Sequence, residues 1–208
     1  TDPNHEMLRG LRGMNQNIKR ITKIVASLQQ YAGVSISQSI EPVLANDIVE
    51  GAVQFCQEKF KNKEISLIIE KGPDDLQVEC QLVDIVQVLF NLLSNAYDAV
   101  SEINDENVDK WIKIQTYMSG KNVQFKVSDS GIGIKNSHVD KILLPFFTTK
   151  NPGAGTGLGL SISQRLVDNH GGRLELDRSS PHTCFVIEIP QQHADSYSSN
   201  GNSKPTAA

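Results

Sequence analysis

Two glycine-rich segments and one pair of asparagines concentrate the chemistry of this chain. The segments are Asp129-Ser130-Gly131-Ile132-Gly133-Ile134 and Gly153-Ala154-Gly155-Thr156-Gly157-Leu158-Gly159-Leu160. Glycine lets a backbone approach a ligand closely and aim successive N–H groups at phosphate oxygens. The second segment runs directly into a helical pattern, whose N-terminus adds a dipole favourable to an anion. It lacks the Gly-Lys-Ser/Thr ending of a P-loop. Nor does a strand closely precede it, as a dinucleotide-binding fold requires.

Asp129 stands at the end of an apolar strand pattern, Phe125 to Val127. An ionised carboxylate there can accept a hydrogen bond from an exocyclic amine and so distinguish adenine. An aspartate before glycine also forms turns, and the residue alone does not separate the two readings. Asn91 and Asn95, four apart, share one helical face. Asparagine is a poor helix former, so two in an otherwise apolar helix need a reason. Their amide oxygens can ligate Mg²⁺, which prefers oxygen donors; solvent-facing asparagines on an amphipathic helix are the alternative.

These residues must be held by ordered elements. Leu82 to Ile103 reads as a long helix carrying both asparagines. Trp111 to Tyr117 and Val123 to Val127 alternate like an antiparallel strand pair, joined through a hairpin from Met118 to Asn122. A helix from about Leu158 to Asn169 ends at Gly171-Gly172, a good C-terminal signal. Leu174 to Leu176 and Cys184 to Ile189 read as closing strands. Upstream, Asn46 is expected to cap a helix reaching Lys61, with Ile48, Ala52, Phe55, Cys56 and Phe60 on one face. Ile65 to Ile69 is strand-like, and Lys71 to Asp75 is a turn. The mixture predicts a helical layer on one face of a mixed sheet.

At the N-terminus, Met7, Leu11, Met14, Ile18, Ile21, Val25, Leu28 and Ala32 form a heptad seam. A lone helix with such a stripe needs a partner, which favours self-association over docking on its own domain. Gly33 to Ser39 reads as a hinge, and the Ser/Asn/Gly-rich segment 191–208 as a disordered tail.

Composition limits the function classes. The 208 residues carry a formal net charge of −4, which gives no general attraction to nucleic acid or anionic lipid. Cys56, Cys80 and Cys184 lack metal-ligand spacing and suit buried positions in a reducing compartment. No apolar run approaches the roughly 20 residues that span a bilayer. The expectation is a cytoplasmic fragment without membrane contact, whose longer parent could be membrane-anchored.

Together the segments resemble a family. Gln87-Val88-Leu89-Phe90-Asn91-Leu92-Leu93-Ser94-Asn95-Ala96 resembles the N box of histidine kinases, and Asp129-Ser130-Gly131-Ile132-Gly133 their G1 box. Pro145-Phe146-Phe147-Thr148-Thr149-Lys150 resembles the F box, and Gly155-Thr156-Gly157-Leu158-Gly159-Leu160-Ser161 the G2 box. The likeness covers residues 40–190. Ile18 to Leu28 is similar to the second helix of the dimerisation and phosphotransfer domain, placing a partial domain at 1–34.

The resemblance implies a Bergerat-type α/β two-layer sandwich preceded by a dimerisation helix, with ATP under a mobile lid from about Phe146 to Gly157. It implies that Asn95 holds Mg²⁺ with Asn91 nearby. Asp129 reads adenine, Gly131 and Gly133 line the base, and Thr183 lies beside it. Lys150 and the backbone from Gly155 through Thr156, Gly157, Leu158 and Gly159 to Leu160 contact phosphates. Asn95 and Lys150 are the expected catalytic pair. The implied activity is ATP-dependent phosphorylation of a histidine in a homodimer, with relay to an aspartate on a response regulator.

Two departures accompany it. Leu143-Leu144 stands where the family's pattern has Phe-Glu, which touches lid docking. Asn91 occupies the place of a glutamate that activates water in related ATPases, and an amide is no general base. No His-acidic-x-x-x-Pro acceptor pattern occurs, since His5-Glu6 is followed by Arg9-Gly10. The expectation is ATP binding without autophosphorylation, with the acceptor histidine upstream of Thr1. The rival readings are an ATPase of the same superfamily and a nucleotide-sensing scaffold.

Overall fold

The computed structural model describes residues 39–103, 105, 108–150 and 155–192. The predicted N-terminal seam and hinge through residue 38, and the tail from residue 193, lie outside the described residues.

The order of elements follows the hydrophobic pattern. Strand β1 (Glu41–Leu44) leads into helix α1 (Ala45–Gln54), a short helix α2 (Gln57–Lys61), and strands β2 (Ser66–Glu70) and β3 (Gln77–Cys80). The long helix α3 (Leu82–Ser101) follows, then the hairpin of β4 (Trp111–Ser119) and β5 (Asn122–Asp129). A short helix α4 (Asn136–Val139), helix α5 (Gly159–Asn169) and strands β6 (Arg173–Leu176) and β7 (Thr183–Pro190) complete it.

Five strands form a mixed sheet in the order β2-β4-β5-β7-β6. β2 pairs with β4 in parallel, and the other three pairings are antiparallel. β1 and β3 make a separate antiparallel pair. Neither β1 nor β3 was legible as a strand, because four-residue elements offer too few alternations to show a period.

Period-two burial makes the sheet one-sided. Ile112, Ile114 and Thr116 of β4 and Val123, Phe125 and Val127 of β5 face inward. On α3, Ile85, Val88, Leu89, Leu92, Leu93, Ala96 and Val100 recur at helical spacing and cover that face. Their burial is the main stabilisation, because a buried aliphatic side chain contributes about 1.5–3 kcal/mol. The result is the two-layer α/β architecture expected from the sequence.

Three local expectations need correction. The helix expected from Asn46 to Lys61 is two helices, broken at Phe55 and Cys56. Phe55, expected on the buried face, is 67% exposed and packs edge-to-face with Phe90, with ring centroids 6.2 Å apart. Asn46 is not a cap; Leu44 holds that position, and the buried Asn46 amide donates to the Gly72 carbonyl at 3.3 Å. Tertiary contact claimed a residue whose local preference was for a helix end.

The three cysteines are buried, as expected, and burial pushes the Cys80 thiol up to about 12. Among the described residues, no helix is long and apolar enough to cross a membrane.

Candidate functional site

Helix α3 carries a polar stripe on the face not committed to the sheet. Gln87, Asn91, Ser94, Asn95 and Asp98 follow one another at helical spacing, and all line one cleft. The opposite wall comprises Phe147, Thr148 and Lys150, then Gly155, Thr156, Gly157, Gly159 and Leu160. The structure therefore brings together Asn91, Asn95, Lys150 and most of the second glycine segment, as predicted. Asp98 was missed, although its spacing of three from Asn95 and seven from Asn91 was readable.

Asn91 is oriented by its neighbours. Its Nδ2 donates to the Gly159 carbonyl at 3.4 Å and to Ser163 Oγ at 3.2 Å. A carbonyl can only accept, so the amide nitrogen faces α5 and the amide oxygen is left for another partner. The bond also fixes where the start of α5 sits relative to α3.

The glycine wall is built by close backbone approach. Gly157 has φ +67, and a Cβ there would lie 2.4 Å from the carbonyl carbon of Phe146, itself at φ 66. The Phe146 and Gly157 backbones thus pass directly against each other. Thr156 Oγ1 accepts the Leu158 N–H at 3.3 Å, and Ser161 Oγ donates to the Leu158 carbonyl at 3.0 Å. Leu158 is 1% exposed and is not among the residues lining the cleft.

Lys150 crosses the cleft. Its ammonium ion-pairs with Asp98 and donates to Asn95 Oδ1 at 3.5 Å. A positive charge thus already sits beside the Asn95 oxygen. Among the described residues, no three His, Cys, Asp or Glu side chains cluster as a metal cage. A cation here would rest on Asn95 together with water and ligand phosphates.

The remaining predicted residues lie apart from these lining residues, at the ends of β5 and β7. Alternation along β5 continues the inward row Val123, Phe125, Val127 onto Asp129, which is 3% exposed. Burial pushes its carboxyl up to about 6, against lowering by the Gly131 N–H and by His182. Gly131 donates to Asp129 Oδ1 at 2.9 Å. A Cβ on Gly131 would fall 2.7 Å from that of Ala99, so glycine is what lets this turn close onto α3. Ala99 follows Asp98 in α3, which joins the two halves of the site. Thr183 is the register partner of Asp129 on β7, and Gly133 is exposed at φ +79. Burial makes ionisation of this carboxyl costly, and the Gly131 N–H and His182 offset only part of that cost.

His170 binds no part of this cleft. Its Nδ1 meets the Leu166 carbonyl at 2.7 Å, and its Nε2 accepts the Gln81 N–H at 3.0 Å, pinning the end of α5 to the start of α3. His170 thus bonds to its own helix and to a second one. Leu143 is half-buried against the core, whereas Leu144 and Phe146 are exposed.

Comparison with known proteins agrees with this geometry. Residues 80–193 match the profile of the family described as histidine kinase-, DNA gyrase B-, and HSP90-like ATPase. The catalytic domain of histidine kinase ThkA superposes with a TM-score of 0.65 at 33% identity, covering 74% of this chain and 99% of that one. A structure of ThkA in complex with the response regulator protein TrrA matches with a TM-score of 0.70 at 27% identity, covering 92% and 53% of the two chains. The sensor kinase CckA of Brucella abortus (strain 2308) is 33% identical over 187 residues, which are 84% of this chain and 20% of that protein. The chain spans only about a fifth to a third of the curated relatives it matches.

Proposed function

The chain belongs to the histidine kinase-, DNA gyrase B-, and HSP90-like ATPase family, and we propose that it is the ATP-binding catalytic module of a two-component sensor histidine kinase. The observation that carries this is the convergence of Asn91, Asn95, Lys150, Gly155, Thr156, Gly157, Gly159 and Leu160 on one cleft, with the turn that holds the buried Asp129 closed onto the same helix at Ala99.

In this reading, Asp129 accepts the adenine amino group, while Gly131, Gly133 and Thr183 border the base. Backbone N–H groups at the start of α5 and the ammonium of Lys150 hold the phosphates. Asn95 would hold Mg²⁺, which would supply charge neutralisation for the phosphates. The protein's contribution is positioning and fixed positive charge, as in phosphoryl transfer generally. Asn91 spends its amide nitrogen on Gly159 and Ser163 and has no basic atom to activate water. That supports transfer to an imidazole over hydrolysis. The acceptor histidine would belong to the dimerisation domain, with the heptad positions Met7 to Ala32 joining two copies. The likeness to ThkA, solved with TrrA, supports a receiver-domain aspartate as the next station. Such relay belongs to the cytoplasmic side of a sensor.

Titration calorimetry with a non-hydrolysable ATP analogue and Mg²⁺ tests the pocket. Binding should be weakened at least about tenfold by Asn95→Ala and by Asp129→Ala, corresponding to lost charge-assisted bonds. Absence of binding by folded parent chain sinks the proposal. Phosphate transfer from labelled ATP to a histidine-bearing dimerisation domain added in trans separates a kinase from a sensing scaffold.

A further inference from the structure

Asp98 belongs to none of the sequence motifs, yet it faces the cleft and holds the lysine expected to bind phosphate. The Asp98–Lys150 ion pair spans α3 and the lid arm, with side chains 41% and 29% exposed. The same ammonium donates to Asn95 Oδ1. One cation therefore satisfies both oxygen-bearing side chains as long as the lysine stays on α3.

A polyphosphate entering the cleft changes that balance. Its oxygens attract the Lys150 ammonium, and whatever the phosphate gains the Asp98 carboxylate loses. Asp98 is then an anion facing other anions in a partly desolvated cleft, where like charges repel more strongly than in water. A divalent cation beside Asn95 relieves this repulsion, because it supplies two positive charges where one ammonium has been shared. Asparagine at position 98 would keep the shape but carry no charge to relieve.

We propose that Asp98 is the specificity-determining residue that makes this cleft select the divalent-cation complex of the nucleotide over the bare polyphosphate. Asn95 offers the cation an oxygen. Asp98 makes its absence costly. Lys150 is the group that moves between the carboxylate and the phosphate. The inference rests on the ATP-binding reading and deepens it.

The test compares dissociation constants of the full chain for β,γ-imido-ATP in excess MgCl₂ and in EDTA, for the parent, Asp98→Asn and Asp98→Glu. The parent should bind the magnesium form more tightly. Asp98→Asn should tighten metal-free binding and shrink the ratio of the two constants by about five- to tenfold, the size of a typical coupling between two sites. Asp98→Glu, which keeps the charge, should retain most of the parent ratio. Circular dichroism confirms that each variant is folded. A parent that binds with and without magnesium equally, or an Asp98→Asn ratio equal to the parent's, overturns the inference while leaving ATP binding intact. A parent that binds neither form instead overturns the ATP-binding reading itself.

Discussion

Gly157 lies so close to Phe146 that a Cβ added to it would sit 2.4 Å from the Phe146 carbonyl carbon and 2.6 Å from its oxygen. Both residues have positive φ, so the two segments meet through backbone, at a distance that leaves no room for a side chain at Gly157. The cleft inherits its outer wall from this crossing.

Gly157→Ala should therefore separate the segments. The left-handed conformation alone costs a side-chain-bearing residue about 1–2 kcal/mol, and the overlap with Phe146 adds to it. The sheet and α3 do not depend on this contact. The expected result is a modest fall in melting temperature with a large loss of ATP-analogue affinity, read by thermal unfolding and calorimetry. Unchanged affinity would show that the crossing does not shape the phosphate wall.

Asp129 connects binding to pH. Its carboxyl is raised from 3.8 to about 6 by burial, so ionising it is harder in the folded chain than in the unfolded one. The cost is absent below about pH 4, where both states are protonated, grows as pH rises to about 6, and is complete above that. Asp129→Asn should stabilise the empty chain at pH 7.5 by at most about 3 kcal/mol, with the advantage shrinking toward pH 4. Urea unfolding across that range checks the sign. An adenine amine favours the ionised form, so binding near pH 6 should release protons, visible as a buffer-dependent calorimetric enthalpy.

Asn91→Asp would replace the donor that faces the Gly159 carbonyl with an oxygen. Two acceptors would then oppose each other at the junction of α3 and α5. The chain should lose about 1–3 kcal/mol of stability. Analogue binding should weaken as the start of α5 shifts and a second anion enters the cleft. Equal affinity for parent and variant would argue against a placing role for this amide.

His170→Phe keeps the bulk but removes both ring nitrogens. The Gln81 N–H and the Leu166 carbonyl would lose their partner together. Each buried unpaired group costs about 1–3 kcal/mol. The expected outcome is clear destabilisation in urea with little change in nucleotide affinity, since the ring is remote from the cleft. A strong affinity loss in a variant of parental stability would contradict this structural role.

What the sequence determined by itself is what short-range chemistry and periodicity encode. The spacing of Ile85 to Val100 declared α3, and alternation in 111–117 and 123–127 declared the central hairpin. The glycine-rich segments announced a backbone cradle, and the order of the four motifs announced the family. The polar stripe from Gln87 to Asp98 is equally readable, since Asp98 follows Asn91 and Asn95 at helical spacing.

The tertiary structure decided the rest, for reasons of distance. Lys150 reaches Asp98 and Asn95 across more than fifty residues of chain, and no local pattern encodes that meeting. Asn46 looked like a cap until packing supplied the Gly72 carbonyl. Asp129 looked like either a turn former or a recognition group. Its place at the inward end of β5 made it a buried acid, because the alternation that buries Val127 must bury the residue two further on.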